Sequence, residues 1–274
     1  MDQEEVRNEV SLSLSLCDMP SQQNKNNSPF GFCSCFHHES TEETLAFNVD
    51  ETGRADRLFL LASQQQEVGN YEEAARLYRE CMDIDNRHVD AHYNLGKVLF
   101  EQGNINTASE YFKRTILLDP KHHLAQYNLG YIYYKGGHLD LALKYFEKAS
   151  ELDDTDVDTW INLALVLRDM GNYHGSVDAN LKAILLDNMH EMAYYNLGNT
   201  YHDLNQKNEA ITNFSKAIKL NPQHVDAYFN LGVVYQEDQD YENALECFEQ
   251  AAKLDPSLQE AKDALDTLKK HMKK

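Results

Sequence analysis

Asparagine returns along this chain at one fixed interval. Asn94, Asn128, Asn162, Asn196 and Asn230 stand 34 residues apart, with no slip. Their surroundings repeat with them, as YNLG at 93–96, 127–130 and 195–198, INLA at 161–164 and FNLG at 229–232. A strict period of this length is the mark of stacked like units, none of which buries its apolar face alone. Carried in both directions, the frame gives six copies: 55–88, 89–122, 123–156, 157–190, 191–224 and 225–258. Residues 1–54 belong to no copy, and 259–274 follow the last one.

Each copy holds two short amphipathic runs around a turn signal: EVGNYEE, EQGNINT, KGGHLDL, DMGNYHG, DLNQKNE and EDQDYEN. In four of these a glycine falls where the first run ends, the position that favours a left-handed residue. Pro120, Pro222 and Pro256 come just after a second run, where they break nothing. The pattern predicts two helices per copy and an all-α solenoid of six helix-turn-helix units. QEAKDALDTLKKHMKK, at 259–274, reads as one more first-type helix. Its stripe of Ala261, Leu265, Leu268 and Met272 would close the exposed end. The arm at 1–54, with PSQQNKNNSP at 20–29, is polar and poor in bulky residues, and is expected to be mostly disordered.

At this point the chain resembles the tetratricopeptide repeat family. The residues that carry the likeness are the Leu-Gly pairs 95–96, 129–130, 197–198 and 231–232, and the aromatics Trp160, Tyr194 and Tyr228 three places before Leu. To these are added the alanines Ala74, Ala108, Ala142, Ala210 and Ala244, and then Tyr78, Phe112, Phe146, Phe214 and Phe248. The fourth copy departs most, with Ala164 for glycine, Ser176 for alanine and Asn180 for the second-helix aromatic. The resemblance implies a right-handed superhelix with a concave groove and a convex outer side.

Numbering each copy from its first residue puts Asn94 and its equivalents at place 6. A helix turns about 100° per residue, so place 6 lies roughly 150° from the packed places 4, 7, 8 and 11. The asparagines therefore point off the core, either to bond a neighbouring helix or to form a ladder of amides for an extended peptide. The second arrangement resembles the asparagine ladder in the repeat arm of O-linked N-acetylglucosamine transferases. That likeness implies main-chain binding by Asn94, Asn128, Asn162, Asn196 and Asn230. Flanking places 2 and 13 are rich in acids, among them Asp90, Asp158 and Asp226, then Glu101, Asp169, Asp203 and Glu237. An acidic groove would prefer basic or neutral segments. Lys97 and Arg168 are isolated cations there, too sparse for a clamp on chaperone carboxylates.

The formal net charge of −20 disfavours nucleic acid and anionic membrane as partners. No apolar run approaches a bilayer span. The acidic opening MDQEEVRNEV is unlike a secretory leader, which with five cysteines points to cytoplasm or nucleus without a disulfide framework. Cys33, Cys35, His37 and His38 are metal ligands by type, but their spacing fits a zinc site poorly. SLSLSLC at 11–17 has the strand period and would suit edge pairing with a partner. Histidines at place 34 (His88, His122, His190, His224) are too far apart to share an ion and are read as cap or loop residues. No catalytic constellation or cofactor motif is found. The expectation is a non-enzymatic protein-interaction scaffold that binds an extended polypeptide. Its alternatives are a targeting or regulatory subunit of a protein-modifying enzyme, or a structural part of a large assembly such as a ciliary or cytoskeletal complex. Partner identity and oligomeric state have no signature here.

Overall fold

The computed structural model describes residues 51–272. Expectations for the arm, including its cysteine–histidine cluster and the alternating serine–leucine stretch, lie outside the described residues. These comprise thirteen helices and no strand. They are α1 (Glu51–Glu67), α2 (Tyr71–Ile84), α3 (Val89–Glu101), α4 (Ile105–Leu118), α5 (His123–Lys135), α6 (Leu139–Leu152) and α7 (Val157–Asp169). There follow α8 (Tyr173–Leu186), α9 (Glu191–Asp203), α10 (Lys207–Leu220), α11 (Val225–Glu237), α12 (Tyr241–Leu254) and α13 (Gln259–His271). Helix α1 opens ahead of Ala55, the start of the repeat frame. Two compact units divide after Leu118. The first holds α1–α4 and the second α5–α13.

The turn signals act as the sequence suggests. Gly69, Gly103, Gly137 and Gly171 have φ between 74° and 79°, which reverses the chain after the first helix of a pair. The fifth and sixth copies lack that glycine and place Asn205 and Gln239 there instead, at φ 58° and 61°. Only glycine adopts this region without a Cβ penalty, so these two turns carry more strain.

In four of the six pairs the helices approach over one contact. A Cβ added at Gly96, Gly130, Gly198 or Gly232 would stand 2.7–2.9 Å from the ring of Phe112, Phe146, Phe214 or Phe248. All four rings are buried. Each also meets the aromatic at place 5 of its own copy, with centroids 5.6–6.0 Å apart, as in Tyr127 with Phe146 and Tyr195 with Phe214. Glycine in a helix interior costs about 1 kcal/mol. Here it gives an aromatic ring a seat against the backbone.

The fourth copy departs at this seat. Asn180 is fully buried, donates from Nδ2 to the Ser176 carbonyl at 3.0 Å, and leaves Oδ1 without a partner. Ser176 in turn pairs with the Thr200 hydroxyl at 3.0 Å. The degenerate second helix noted in the sequence is thus a local polar core. At the C-terminal end, Ala261 and Leu268 of α13 are buried, with Leu265 beside Phe248 and Ala244. Met272, the last member of the expected stripe, is 46% exposed and takes no part.

Three of the place-34 histidines are caps. Nδ1 of His88, His122 and His224 accepts the backbone N–H three residues on, at 3.2, 3.2 and 3.3 Å. Each bond satisfies one orphan donor at a helix N-terminus. It needs the neutral tautomer, with the hydrogen on Nε2. At His224 that Nε2 is buried without a partner, and burial holds the imidazole pKa below its ordinary value. Burial moves His92 the same way. A histidine depressed in the folded state contributes stability above the unfolded pKa of about 6.5, and loses it as pH falls below that value. Urea midpoints are therefore expected to drop between about pH 7.5 and 5.5. His224→Asn, which caps without titrating, is expected to flatten that drop. An unchanged slope would show that the cap carries none of it.

Candidate functional site

First-type helices of successive copies touch one another, α1 with α3 in the first unit, and α5 with α7, α7 with α9 and α9 with α11 in the second. Second-type helices of successive copies barely do. Within each unit the row therefore bends with its first-type helices inside, and these form the inner wall. Place 6 stands on that wall.

In the second unit the asparagines are partly spent on their neighbours. Asn162 donates from Nδ2 to the Tyr127 hydroxyl at 3.1 Å and to the Asp158 carbonyl at 2.9 Å. Asn230 donates to the Tyr195 hydroxyl at 3.1 Å and to Asn199 Oδ1 at 2.9 Å. Both N–H groups are used in each amide, while no hydrogen bond among the described residues occupies Oδ1. Both side chains are only half-buried. The wall thus offers acceptors, where the bare residue type had suggested donors and acceptors alike. Asn128 is half-buried and also engaged.

Asn196 is placed differently. It is 2% exposed, and its Nδ2 is buried with no partner. The cause is one residue in the preceding copy, where place 5 is Ile161 and not tyrosine, so no hydroxyl is available. In the first unit the Tyr78 hydroxyl donates to Gln66 at 2.8 Å and meets Ser63 at 3.2 Å, with Asn94 nearby opposing the rise that burial gives the Tyr78 phenol pKa.

The acids at place 13 form a second row of clasps. Tyr134 donates its hydroxyl to Asp169 at 2.8 Å, the Arg168 guanidinium donates to Asp203, and His202 Nε2 meets Glu237 at 3.0 Å. Each pair spans 35 residues, from place 12 of one copy to place 13 of the next. In the first unit the nearby Glu101 carboxylate raises the Tyr71 phenol pKa, while Glu101 Oε2 is buried without a hydrogen-bond partner. These acids hold the row together, which leaves less free negative charge on the wall than residue counts imply. Arg168 is likewise committed, and Lys97 lies 5.9 Å from the Tyr93 ring.

Place 2 keeps more of its charge. Asp90 and Asp226 are exposed in the first turns of α3 and α11, where the helix dipole favours a carboxylate. Asp158 is half-buried and forms no ion pair with a lysine or arginine among the described residues. Burial raises its pKa, Asp156 adds to the rise, and His190 opposes it. The inter-copy clasps had a sequence signal: Tyr134, Arg168 and His202 each precede an acid by 35 residues, as Tyr127 and Tyr195 precede asparagine.

Among the described residues no helix is long and apolar enough to cross a membrane. Family models match three stretches: "TPR repeat" over residues 198–239, "Tetratricopeptide repeat" over 225–258, and "Cilia and flagella-associated protein 70 middle TPR-like domain" over 58–186. No curated protein matches the chain. Among solved structures, YrrB, described as a TPR protein with an unusual peptide-binding site, aligns with TM-score 0.61 and 22% identity, over 69% of this chain and 98% of its own. PilF of Pseudomonas aeruginosa aligns with TM-score 0.66 and 18% identity, over 78% of this chain and 97% of its own. MamA follows with TM-score 0.56 and 24% identity, over 59% and 95%. With the glycine–phenylalanine seats, the helix pairs and these matches in place, the chain is a tetratricopeptide repeat protein, an all-α helical-repeat solenoid.

Proposed function

We propose that this protein is a non-enzymatic interaction scaffold whose second unit holds an extended polypeptide along its inner wall. The observation that carries the reading is the free Oδ1 of Asn162 and Asn230, each fixed by two bonds to its neighbours. A pre-oriented acceptor loses little freedom on binding a backbone N–H. Packed helices are about 8–10 Å apart and an extended chain advances about 3.3 Å per residue. With Asn196 buried between them, the acceptors of Asn162 and Asn230 stand two copies apart and would meet the bound chain about six residues apart. Main-chain contacts of this kind give affinity with little sequence choice. The uncompensated Asp158 and the exposed Asp226 add a preference for neutral or basic segments. YrrB, described by its peptide-binding site, supports the reading by fold alone.

Capture of binding partners by the full chain, followed by mass spectrometry, tests this with two variants. Asn162→Ala/Asn230→Ala removes the acceptors. Tyr127→Phe/Tyr195→Phe loosens the clasps and keeps the acceptors. Two lost hydrogen bonds are worth about 1–3 kcal/mol. The asparagine variant is expected to lose a discrete set of partners that the tyrosine variant retains, at equal helicity by circular dichroism. Retention of every partner by both variants would move binding to other surfaces, as a structural part of a large assembly would have it.

A further inference from the structure

We propose that the outer side of the second unit carries a second docking site, a cleft over Trp160. Its occupant is an aromatic side chain flanked by lysine or arginine, presented by a partner protein. Trp160 and Leu167 lie roughly 160° and 140° around α7 from Asn162, so this site faces away from the ladder and does not depend on it.

The cleft exists because two places shrink together. In the third copy, place 11 and place 23 hold Tyr133 and Tyr145, stacked with centroids 5.4 Å apart and planes 8° from parallel. The fourth copy has Leu167 and Ala179 in those places, with Gly175 one turn before Ala179. The fifth and sixth copies keep Tyr201 and Tyr235 at place 11 but hold Asn213 and Cys247 at place 23, and the second has Leu99 at place 11, so the third copy alone carries both rings. What the missing rings leave is an open cleft of about 690 Å³, bounded by the end of α6, by α7 and by α8. Trp160, Leu167 and Ala179 give it an apolar floor, the surface that an aromatic ring from outside would cover.

The rim selects the charge. Glu151, Asp154 and Asp178 stand around the cleft with Lys182 the lining cation; Glu151 is paired with Lys148 at 2.8 Å, so Asp178 is the rim acid without an ion pair among the described residues. Lys182 pairs with Asp154 at 3.4 Å, and its Nζ lies 5.8 Å from the centre of the Trp160 ring. The ring face and the carboxylate beside it therefore already hold an ammonium group, on a flexible stem that an incoming cation can displace. Farther along α8, Leu181 and Leu185 are 46% and 79% exposed and extend the apolar surface past Asp178.

Trp160 is the single tryptophan of the chain, so its emission reports on this cleft alone. The full chain is titrated with a synthetic peptide carrying Lys-Phe-Lys in a Gly-Ser frame. Glu-Phe-Glu and Lys-Ala-Lys peptides serve as controls. A saturable change is expected with Lys-Phe-Lys, and binding about tenfold weaker or worse with either control, a difference of about 1.4 kcal/mol. Leu167→Tyr/Ala179→Tyr restores the missing rings and is expected to abolish the response. If that variant fails to fold, Asp178→Lys on the exposed rim is expected to weaken binding about fivefold. The proposal is overturned by no saturable change, by an equal response to Glu-Phe-Glu, or by unchanged affinity in a folded variant.

Discussion

Phe214→Ala is expected to destabilise the second unit by about 3–5 kcal/mol, the range for a large aromatic removed from a packed core. Phe214 is fully buried against Ala210, Leu231 and Val234, and its ring lies 6.0 Å from that of Tyr195. It bridges α9 and α10 within one pair and reaches α11 of the next, so the vacated space cannot be closed by moving one helix. Urea unfolding followed by circular dichroism reads the cost as a lower midpoint. Hydrogen exchange should show the loss strongest in α9, α10 and α11, because in a repeat array each unit leans only on its neighbours. A cost below about 1 kcal/mol would mean that the site collapses, and that the seat is less fixed than its geometry says.

The second large effect comes from the other side of the same contact. Gly198→Leu gains up to about 1 kcal/mol of helix propensity. Yet the first atom it adds falls 2.7 Å from Phe214 Cδ1, with a buried ring that has nowhere to go. Overpacking of this kind costs about 1–3 kcal/mol, and the remaining leucine atoms push toward the upper end. Because both substitutions act on one contact, their effects should not add. Combined with Phe214→Ala, Gly198→Leu is expected to cost less than it does alone, since the leucine enters the space the ring has left. Strict additivity in the double variant would show that the two residues do not oppose each other.

Much of the fold was legible because a stacked array repeats its physics. The glycine turns, the small residue facing the ring and the closing helix each have a cause within one copy or two, and each leaves a periodic trace. Asn205 and Gln239 show that the left-handed turn survives the loss of glycine when neighbouring copies impose it. The site was harder to read. Angular arithmetic placed the asparagines on one wall, but it treats a helix as isolated. Whether Asn162 spends its amide on Tyr127, or whether Asn196 sinks out of reach, depends on the residue 35 positions earlier. The acids misled for the same reason. Asp169, Asp203 and Glu237 look like free charge on a single helix, and become fasteners only when the preceding copy supplies Tyr134, Arg168 and His202. The cleft over Trp160 left still less trace, since it arises from side chains that are small where their counterparts are large.

The clasps between copies also say which joints of the array are interchangeable. Each is written half in one copy and half in the next, so a copy is compatible with any predecessor that offers the right half. Asn196 holds a half whose match is absent in the fourth copy but present in the third, as the hydroxyl of Tyr127. Asp203 would accept Tyr134 in the manner that Asp169 does. A chain shortened by residues 157–190 would therefore join its third and fifth copies with both fasteners closed, and with no cleft beside them. The fourth copy is the one whose excision would leave the array better matched than it stands.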